Sequence, residues 1–292
     1  MQNKREIKRL KKIVSRLVIL AVVIFAALLG EFIYHRYSSN RSMYFRTEGE
    51  TVQIYRDKNW LDFPIHGVSI SAEKPGLHGE TDITKEEYKR RFRDLRAGDV
   101  NVIRVCSVLS PAFYKAFFEY NLLTDKPLYM LHGISLRDNK NNSGNDAYDE
   151  KFNADFLGEI RRTVDVIHGK VSSKQSNGHN SGVYNLNVSP YVIGYTFCEE
   201  MGNDFAVNTN RKNPHVMGFE GEYLYTVNAS PYESWLAAMG NYTISYEQEK
   251  YGGSIKLVSL SNLSSFQNIR ITEKFDAGIL AFNHLQEKFI EF

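Results

Sequence analysis

The chain has 292 residues, of which 13% are aromatic and 24% are charged. This length suits one large domain or two small ones, and the composition excludes a disordered chain. The net charge of +2 arises at the amino terminus, where residues 1–36 hold eight of the 36 Lys and Arg residues and two of the 34 Asp and Glu residues. The rest of the chain has a net charge of −4, so it offers no basic surface for nucleic acid.

A basic tail and an apolar run open the chain. Residues 1–12 form the tail, and residues 13–34 form an apolar span of 22 residues, which is long enough to cross a bilayer. The positive-inside rule keeps the tail in the cytoplasm and places the remainder outside. We therefore predict a single-pass protein of the cell membrane with an extracytoplasmic C-terminal domain. A cleaved signal peptide, whose apolar segment is usually shorter, is the alternative.

Residues 35–62 are predicted to form a linker and a short β lead-in, because they contain the alternating run TVQIY. From residue 63 onward, apolar runs typical of strands alternate with amphipathic segments typical of helices. The predicted strands are 63–71, 101–108, 127–136, 191–199, 254–262 and 278–284, and the predicted helices are 84–98, 110–121, 149–168 and 230–252. Thr84 and Glu87 have the spacing of a capping box at one helix start.

This alternation predicts an α/β fold with a parallel sheet that is covered by helices. A closed eightfold barrel and an open doubly wound sheet both fit the pattern. The first strand–helix junction has no G-x-G-x-x-G sequence, and no phosphate loop occurs, so we expect no nucleotide cofactor. The histidines lack the spacing of a zinc site, so we expect no metal.

Polar side chains lie within or at the ends of these apolar strands. In strand order they are Ser69 and Ser71, Arg104, His132, Glu199 and Glu200, Ser261 and Asn262, and Asn283 and His284. In a barrel, the carboxyl ends of the strands converge on one active-site face. The alternatives are structural: the paired glutamates end a strand in solvent, Arg104 forms an ion pair, and His132 is a hydrogen-bonded core histidine.

Six segments of the chain, taken together and in order, resemble a known family. They are FPIHGVS, NVIRV, PAFYKA, PLYMLHGI, VSPYVIGY and ASPYESWLAAM, the last followed closely by NY. This series is similar to a bacterial family of TIM-barrel glycoside hydrolase-like domains in the retaining-glycosidase clan. The resemblance covers about residues 60–284. It implies a partial (β/α)8 TIM-type barrel of about six strands over residues 63–292, without a cofactor.

The resemblance also implies roles for individual residues. Glu200 matches the acid/base glutamate at the end of the fourth strand, Arg104 matches the arginine that supports the nucleophile, and His284 resembles an aromatic or histidine position on the sixth strand. We therefore predict that Glu200 is catalytic. The predicted substrate-binding residues are Arg104, His132, Glu199, Asn262 and His284.

The chain departs from the family pattern at two places. Glu199 stands where the family usually has Asn, and its charge would raise the pKa of one of the two neighbouring carboxyls. The family's nucleophile glutamate ends the seventh strand, but only eight residues, LQEKFIEF, follow the predicted sixth strand. We therefore expect a C-terminally truncated barrel, in which nothing in the sequence directs Glu287 or Glu291 to the site.

The sequence thus predicts a membrane-anchored glycoside hydrolase-like protein that acts on a polysaccharide or oligosaccharide. Because retaining hydrolysis needs two carboxylates, an inactive glycan-binding or accessory module with membrane glycan-synthesis partners is the alternative. A gene fragment without function is a third reading. Cys106 and Cys198 fall on predicted strands separated by a third strand, about 10 Å apart, so we expect two buried free thiols.

Overall fold

A computed structural model describes residues 2–41, 44–49, 51–71, 83–135, 146–173, 182–198, 203–260, 268–274, 278 and 289–291. The chain divides into two compact units, Met1–Ser42 and Met43–Phe292. The first unit is helix α1, Gln2–Arg41. Within it, the 26-residue segment Leu10–His35 contains an 18-residue window with a mean hydropathy of 2.7, and is long and apolar enough to cross a membrane.

The second unit combines strands and helices. Its strands are β1 Phe45–Glu48, β2 Thr51–Arg56, β3 Asn59–Asp62, β4 Gly67–Ser69, β5 Val102–Val105, β6 Tyr129–Ile134, β7 Val171–Ser173, β8 Gly182–Tyr184, β9 Val192–Phe197, β10 Leu224–Thr226, β11 Leu257–Ser259, β12 Ile269–Ile271 and β13 Phe289–Glu291. Its helices are α2 Lys85–Ala97, α3 Pro111–Leu123, α4 Glu150–Ile167, α5 Asn203–Lys212 and α6 Pro231–Tyr251, with a 3₁₀ turn at Ser189–Tyr191.

Six strands form the main sheet, in the order β11-β9-β6-β5-β4-β13, and every neighbouring pair is parallel. From β4 to β11, strands that follow one another in this sheet along the chain are also neighbours in space. The predicted α/β class with a parallel sheet is therefore confirmed. Smaller antiparallel pairings join β1, β2 and β3, then β7 and β8, and β10 and β12.

The last described strand differs from the predicted one. The predicted sixth strand, 278–284, lies outside the described residues except for Gly278, whose carbonyl accepts a hydrogen bond from the Val258 amide at 3.4 Å. The described strand β13 instead comes from the segment that we expected to be a tail. It pairs with β4, at the opposite edge of the sheet from β11.

The long helices contact one face of the main sheet. Phe156 of α4 packs edge-on against Phe197 of β9, with ring centroids 5.3 Å apart. Tyr114 of α3 stacks on His132 of β6. A side chain at Gly240 of α6 would meet Val258 of β11. Because alternate strand residues point to opposite faces, Val105, His132, Tyr195 and Phe197 form the helix-covered face.

Local sequence signals set the helix ends. Thr84 and Glu87 form both hydrogen bonds of the predicted capping box. Ser230 and Glu233 form a second capping box, at the start of α6. Gly252 ends α6 with a φ of +61°, a conformation that favours glycine. Ser110 occupies the N-cap position of α3, but its side chain makes no capping hydrogen bond.

The meander β1–β3 packs against the start of β6. Phe45 of β1 lies edge-on to Tyr129, the first residue of β6, with ring centroids 5.1 Å apart. Phe63, which follows the meander, contacts both rings at 5.3 and 5.5 Å. The β lead-in therefore covers apolar surface at the amino end of the sheet and leaves the carboxyl end to the loops.

Candidate functional site

The face of the sheet opposite the helices carries a polar row. Ser69 of β4 and Leu131 of β6 are both register partners of Arg104 of β5, so the three residues share this face. Two positions further along β6, Gly133 pairs with Thr196 of β9, which in turn pairs with Ser259 of β11. We call Ser69, Arg104, Thr196 and Ser259 the inner row.

Arg104 is the charged member of the inner row. Its side chain is 9% exposed, and its Nε donates a hydrogen bond to the Ser69 hydroxyl at 3.0 Å. This hydrogen bond connects β5 to β4 through side chains on the same face. A buried arginine retains its positive charge, so this position attracts a carboxylate, a phosphate or a hydroxyl-rich ligand.

Thr196 and Ser259 lie side by side, and both are fully buried. Neither hydroxyl has a hydrogen-bond partner in the described part of the chain. Buried hydroxyls are normally paired, because leaving one without a partner costs free energy. A pair of unsatisfied hydroxyls is able to donate to and accept from a polar ligand or bound water.

The strands of the inner row end close to solvent. The Cys198 amide still donates to the Ile134 carbonyl at 3.1 Å, one residue beyond β9. Cys106 is exposed, Cys198 is half-buried, and the two are not joined in a disulfide. This agrees with the prediction that they form no disulfide, but the prediction that both are buried is wrong. Both cysteines follow the last residue of a strand, where the sheet gives way to loops.

The sequence predicts Glu200 as the catalytic residue and Glu199, Asn262 and His284 as substrate-binding residues. Glu199 and Glu200 follow Cys198 directly, but both lie outside the described residues, as do Asn262 and His284. Their predicted roles stay predictions. The described chain places Arg104 in the inner row and brings it together with Ser69, a residue that the sequence had placed only at a strand end.

His132 lies on the other face of the sheet. It is fully buried, its Nε2 is 2.7 Å from the Tyr114 hydroxyl, and its Nδ1 is 2.7 Å from the Gly133 carbonyl. A carbonyl oxygen only accepts, so Nδ1 carries the proton and Nε2 accepts from Tyr114. Burial lowers the pKa of His132 to about 4. The structure therefore does not bring His132 together with Arg104.

A second polar cluster, which the sequence did not predict, lies on the helix-covered side of the sheet. Glu247 of α6 is 2% exposed and accepts a hydrogen bond from His168 Nε2 at 2.8 Å, and Lys256 Nζ lies 3.3 Å from the same oxygen. Burial acts to raise the pKa of Glu247, but Lys256 and His168 outweigh it and hold that pKa below its ordinary value. We call Glu247, His168 and Lys256 the Glu247 cluster.

Two tyrosines, Tyr195 and Tyr251, lie next to the Glu247 cluster. Burial, followed by the nearby Glu247 charge, raises the pKa of Tyr195 well above its ordinary value. The Tyr251 ring stacks on His168 with centroids 3.9 Å apart, and its hydroxyl donates to Asp165 at 2.7 Å. The only sequence signal was a helix with a small hydrophobic stripe, which does not reveal that one of its glutamates is buried.

Comparisons with protein-family models, with curated protein sequences and with solved structures give no match to this chain. Within the described ranges, no group of three or more His, Cys, Asp or Glu side chains is placed to hold a metal ion. The inner row therefore defines a site of hydrogen-bonding groups with one cation. Such a set binds polar, hydroxylated or anionic molecules.

Proposed function

We propose that the chain is a membrane-anchored, extracytoplasmic glycoside hydrolase-like protein that acts on a polysaccharide or oligosaccharide. The observation that carries this proposal is the inner row, in which two buried hydroxyls that have no partner within the described ranges share a face with Arg104. Sugars present many hydroxyl groups that both donate and accept hydrogen bonds. A ligand of this kind satisfies Thr196 and Ser259 where an apolar ligand leaves them unpaired.

The sheet topology supports a barrel as the setting of this site. Successive parallel strands lie beside one another and the long helices contact one face, as in a singly wound (β/α) unit. In such a fold the inner row lies at the carboxyl ends of the strands, where barrel enzymes bind substrate. The six ordered sequence segments also favour a partial (β/α)8 TIM-type barrel of glycosidase type.

In this proposal Glu200, which follows β9 in the sequence, protonates the leaving oxygen of the glycosidic bond. Arg104 and the two hydroxyls orient the sugar. Helix α1 supplies the anchor through residues 13–34, with the basic tail in the cytoplasm. A membrane-bound glycan is then the natural substrate class for a domain held at the outer surface.

A glycan-binding module without activity is the second candidate. One observation favours it: among the described side chains of the inner face, none is a carboxylate. Hydrolysis of a glycosidic bond normally needs two carboxyl groups, whereas binding needs none. In this case the partners are the membrane glycan itself and the machinery that makes it.

The test uses the full chain in non-ionic detergent micelles with a panel of β-linked oligosaccharides. Sugar release and the thermal midpoint are measured on the same samples, for the natural chain and for Glu200→Gln, with the exposed Glu249→Gln as matched control. Release that is lost in Glu200→Gln and kept in Glu249→Gln supports the hydrolase. A raised midpoint without release supports the binding module. If the oligosaccharides cause neither release nor a raised midpoint, both candidate functions are contradicted.

A further inference from the structure

The outer face of the meander β1–β3 carries two parallel rows of side chains. The Tyr55 amide donates to the Tyr44 carbonyl at 2.9 Å, and Tyr55 is the register partner of Trp60, so these three residues form an aromatic row across the strands. Two positions away along each strand, a polar row lies on the same face and consists of Arg46, Gln53 and Asp62. We call the two rows together the meander surface.

The aromatic row presents ring surface to solvent. The ring centroids of Tyr44 and Tyr55 are 6.4 Å apart, and those of Tyr55 and Trp60 are 5.3 Å apart. Tyr44 is 45% exposed, and the other two rings are half-buried. Their sequence neighbours Phe45 and Ile54 are buried on the opposite face, so the meander is attached to the core through that other face. Exposed apolar surface that is rimmed by polar groups is typical of a binding site.

The polar row is held in place by its own hydrogen bonds. Arg46 Nε donates to Gln53 Oε1 at 3.0 Å, and Gln53 Nε2 donates to Asp62 Oδ1 at 3.0 Å. Arg46 Nη2 also donates to Glu48 at 3.2 Å, and its guanidinium carbon lies 4.3 Å from the centroid of the Trp60 ring. These interactions position the side chains before a ligand arrives, which lowers the entropy cost of binding. Arg46 keeps further N–H donors, and Asp62 keeps a second oxygen, for contacts with a ligand.

The charges around the meander surface select among ligands. Glu48 and Asp62 bring two negative charges, and Arg46 brings one positive charge. This excess of negative charge disfavours a phosphate-rich partner such as nucleic acid or an anionic lipid headgroup. An apolar ligand would cover the charged groups without offering them hydrogen bonds, which costs free energy. The surface therefore fits a neutral ligand that has both apolar surface and many hydroxyl groups.

A neutral sugar ring has these properties. Its C–H groups pack on aromatic rings, and the hydroxyls at its rim form hydrogen bonds with charged and amide side chains. The two rows are two residues apart along each strand, or about 7 Å, so a short chain of sugars contacts both. We propose that the meander surface is a binding site for a neutral oligosaccharide, separate from the inner row. This site does not rest on the proposed function, because stacking and hydrogen bonding need no catalytic group.

The experiment measures how far a sugar protects Trp60 from quenching by acrylamide. The full chain is kept in a polyoxyethylene detergent, which contains no sugar, and the probes are cellohexaose and chitohexaose. Trp235, the other tryptophan, is 1% exposed, so quenching reports mainly on Trp60. We expect at least one of the two probes to protect Trp60. Tyr44→Ala should weaken this binding about tenfold, as for a central aromatic contact, whereas Tyr44→Phe should keep it.

Leu61→Ala is the matched control. Leu61 is 48% exposed and lies beside Trp60 on β3, but it points to the opposite face, so its removal should leave the affinity unchanged. Absence of protection by both probes overturns the proposal, as does an equal affinity in Tyr44→Ala and the natural chain. Protection of Trp60 by oligogalacturonate, or by nanodiscs rich in phosphatidylglycerol, but by neither neutral probe assigns the surface to an anionic partner and also overturns it.

The outcomes separate this site from the proposed function. Protection of Trp60 that Tyr44→Ala weakens, without sugar release by the natural chain, keeps this site and contradicts the hydrolase. Sugar release without protection of Trp60 keeps the hydrolase and overturns this site. A raised thermal midpoint that Tyr44→Ala abolishes is caused by the meander surface and supports this site.

Discussion

The second unit has two buried polar regions, which differ in whether their polar groups have hydrogen-bond partners. In the Glu247 cluster, one carboxylate oxygen receives both the His168 hydrogen bond at 2.8 Å and the Lys256 ion pair at 3.3 Å. In the inner row, the Thr196 and Ser259 hydroxyls have no partner in the described chain. Both regions are buried, so burial alone does not distinguish them. The two regions differ instead in whether their buried polar groups form hydrogen bonds.

The difference indicates what each region is for. A buried charge cluster with its partners in place holds α4, α6 and the start of β11 in one arrangement. A pair of buried hydroxyls without partners costs stability, and proteins keep such groups where a ligand uses them. The Glu247 cluster is therefore a structural element, and we interpret the inner row as the binding element of the proposed function. Substitutions in the Glu247 cluster should therefore lower stability, whereas substitutions in the inner row should weaken ligand binding.

The largest effect is expected from Glu247→Gln. Removing the anion leaves Lys256 buried without its counter-charge, and breaking a buried ion pair costs about 3–5 kcal/mol. Urea unfolding of the full chain, followed by tryptophan fluorescence, measures this loss. Glu249→Gln, two residues along α6 and exposed, should stay within about 0.5 kcal/mol of the natural chain. Equal losses in the two variants would show that the cluster is not stabilising.

The next effect is a pH dependence caused by His132. Its folded pKa is about 4, whereas an unfolded histidine has a pKa near 6.5. Below pH 6.5 the unfolded chain therefore binds a proton that the folded chain does not. The contribution of His132 is fully present above pH 6.5 and falls by roughly 3 kcal/mol as the pH drops to 4.

The variant His132→Gln tests this dependence. Glutamine still offers Tyr114 an acceptor but does not titrate, so the difference in stability between natural chain and variant should shrink as the pH falls from 6.5 to 4. His215→Gln is the control, because His215 is exposed. Parallel stability curves for the natural chain and His132→Gln across this range would refute the assigned cause.

The smallest effect compares two buried threonines. Thr209 accepts a hydrogen bond from the Ala147 amide at 2.9 Å, so Thr209→Val strands a buried donor and should cost about 1–3 kcal/mol. Thr196 has no hydrogen-bond partner among the described residues, so Thr196→Val should cost nothing measurable or slightly stabilise the fold. Oligosaccharide binding should weaken only in Thr196→Val. If both variants lose the same stability, Thr196 forms a hydrogen bond in solution. Its hydroxyl is then no longer evidence that the inner row binds a ligand.

Much of the fold could be predicted from the sequence, because hydrophobic periodicity and capping residues are local signals. The helix beginning after Thr84 and the apolar strand ending at Phe197 were placed within one or two residues. Helix α5 was missed, because NDFAVNTNRK is polar and rich in asparagine. The hairpin of β7 and β8 was also missed, because its ends flank a stretch of Ser, Asn and Gly.

The site was harder to predict, since it depends on which strands are neighbours. Arg104 could be chosen from the sequence as a charge inside an apolar run. That it contacts Ser69, or that Thr196 lies beside Ser259, follows only from register across separate strands. Strand β13 is the clearest case: three residues are too few to show a period, and only their pairing with β4 defines them as a strand.

The pairing of β4 with β13 also has a kinetic consequence. The two strands lie roughly 220 residues apart in sequence, so closing this contact carries a high loop entropy and slows folding. A chain that emerges from the ribosome amino end first makes β4 early and β13 very late. Until then β4 exposes an unpaired edge, the kind of surface on which chains aggregate. Chaperone capture of the nascent second unit should therefore persist until β13 has emerged from the ribosome.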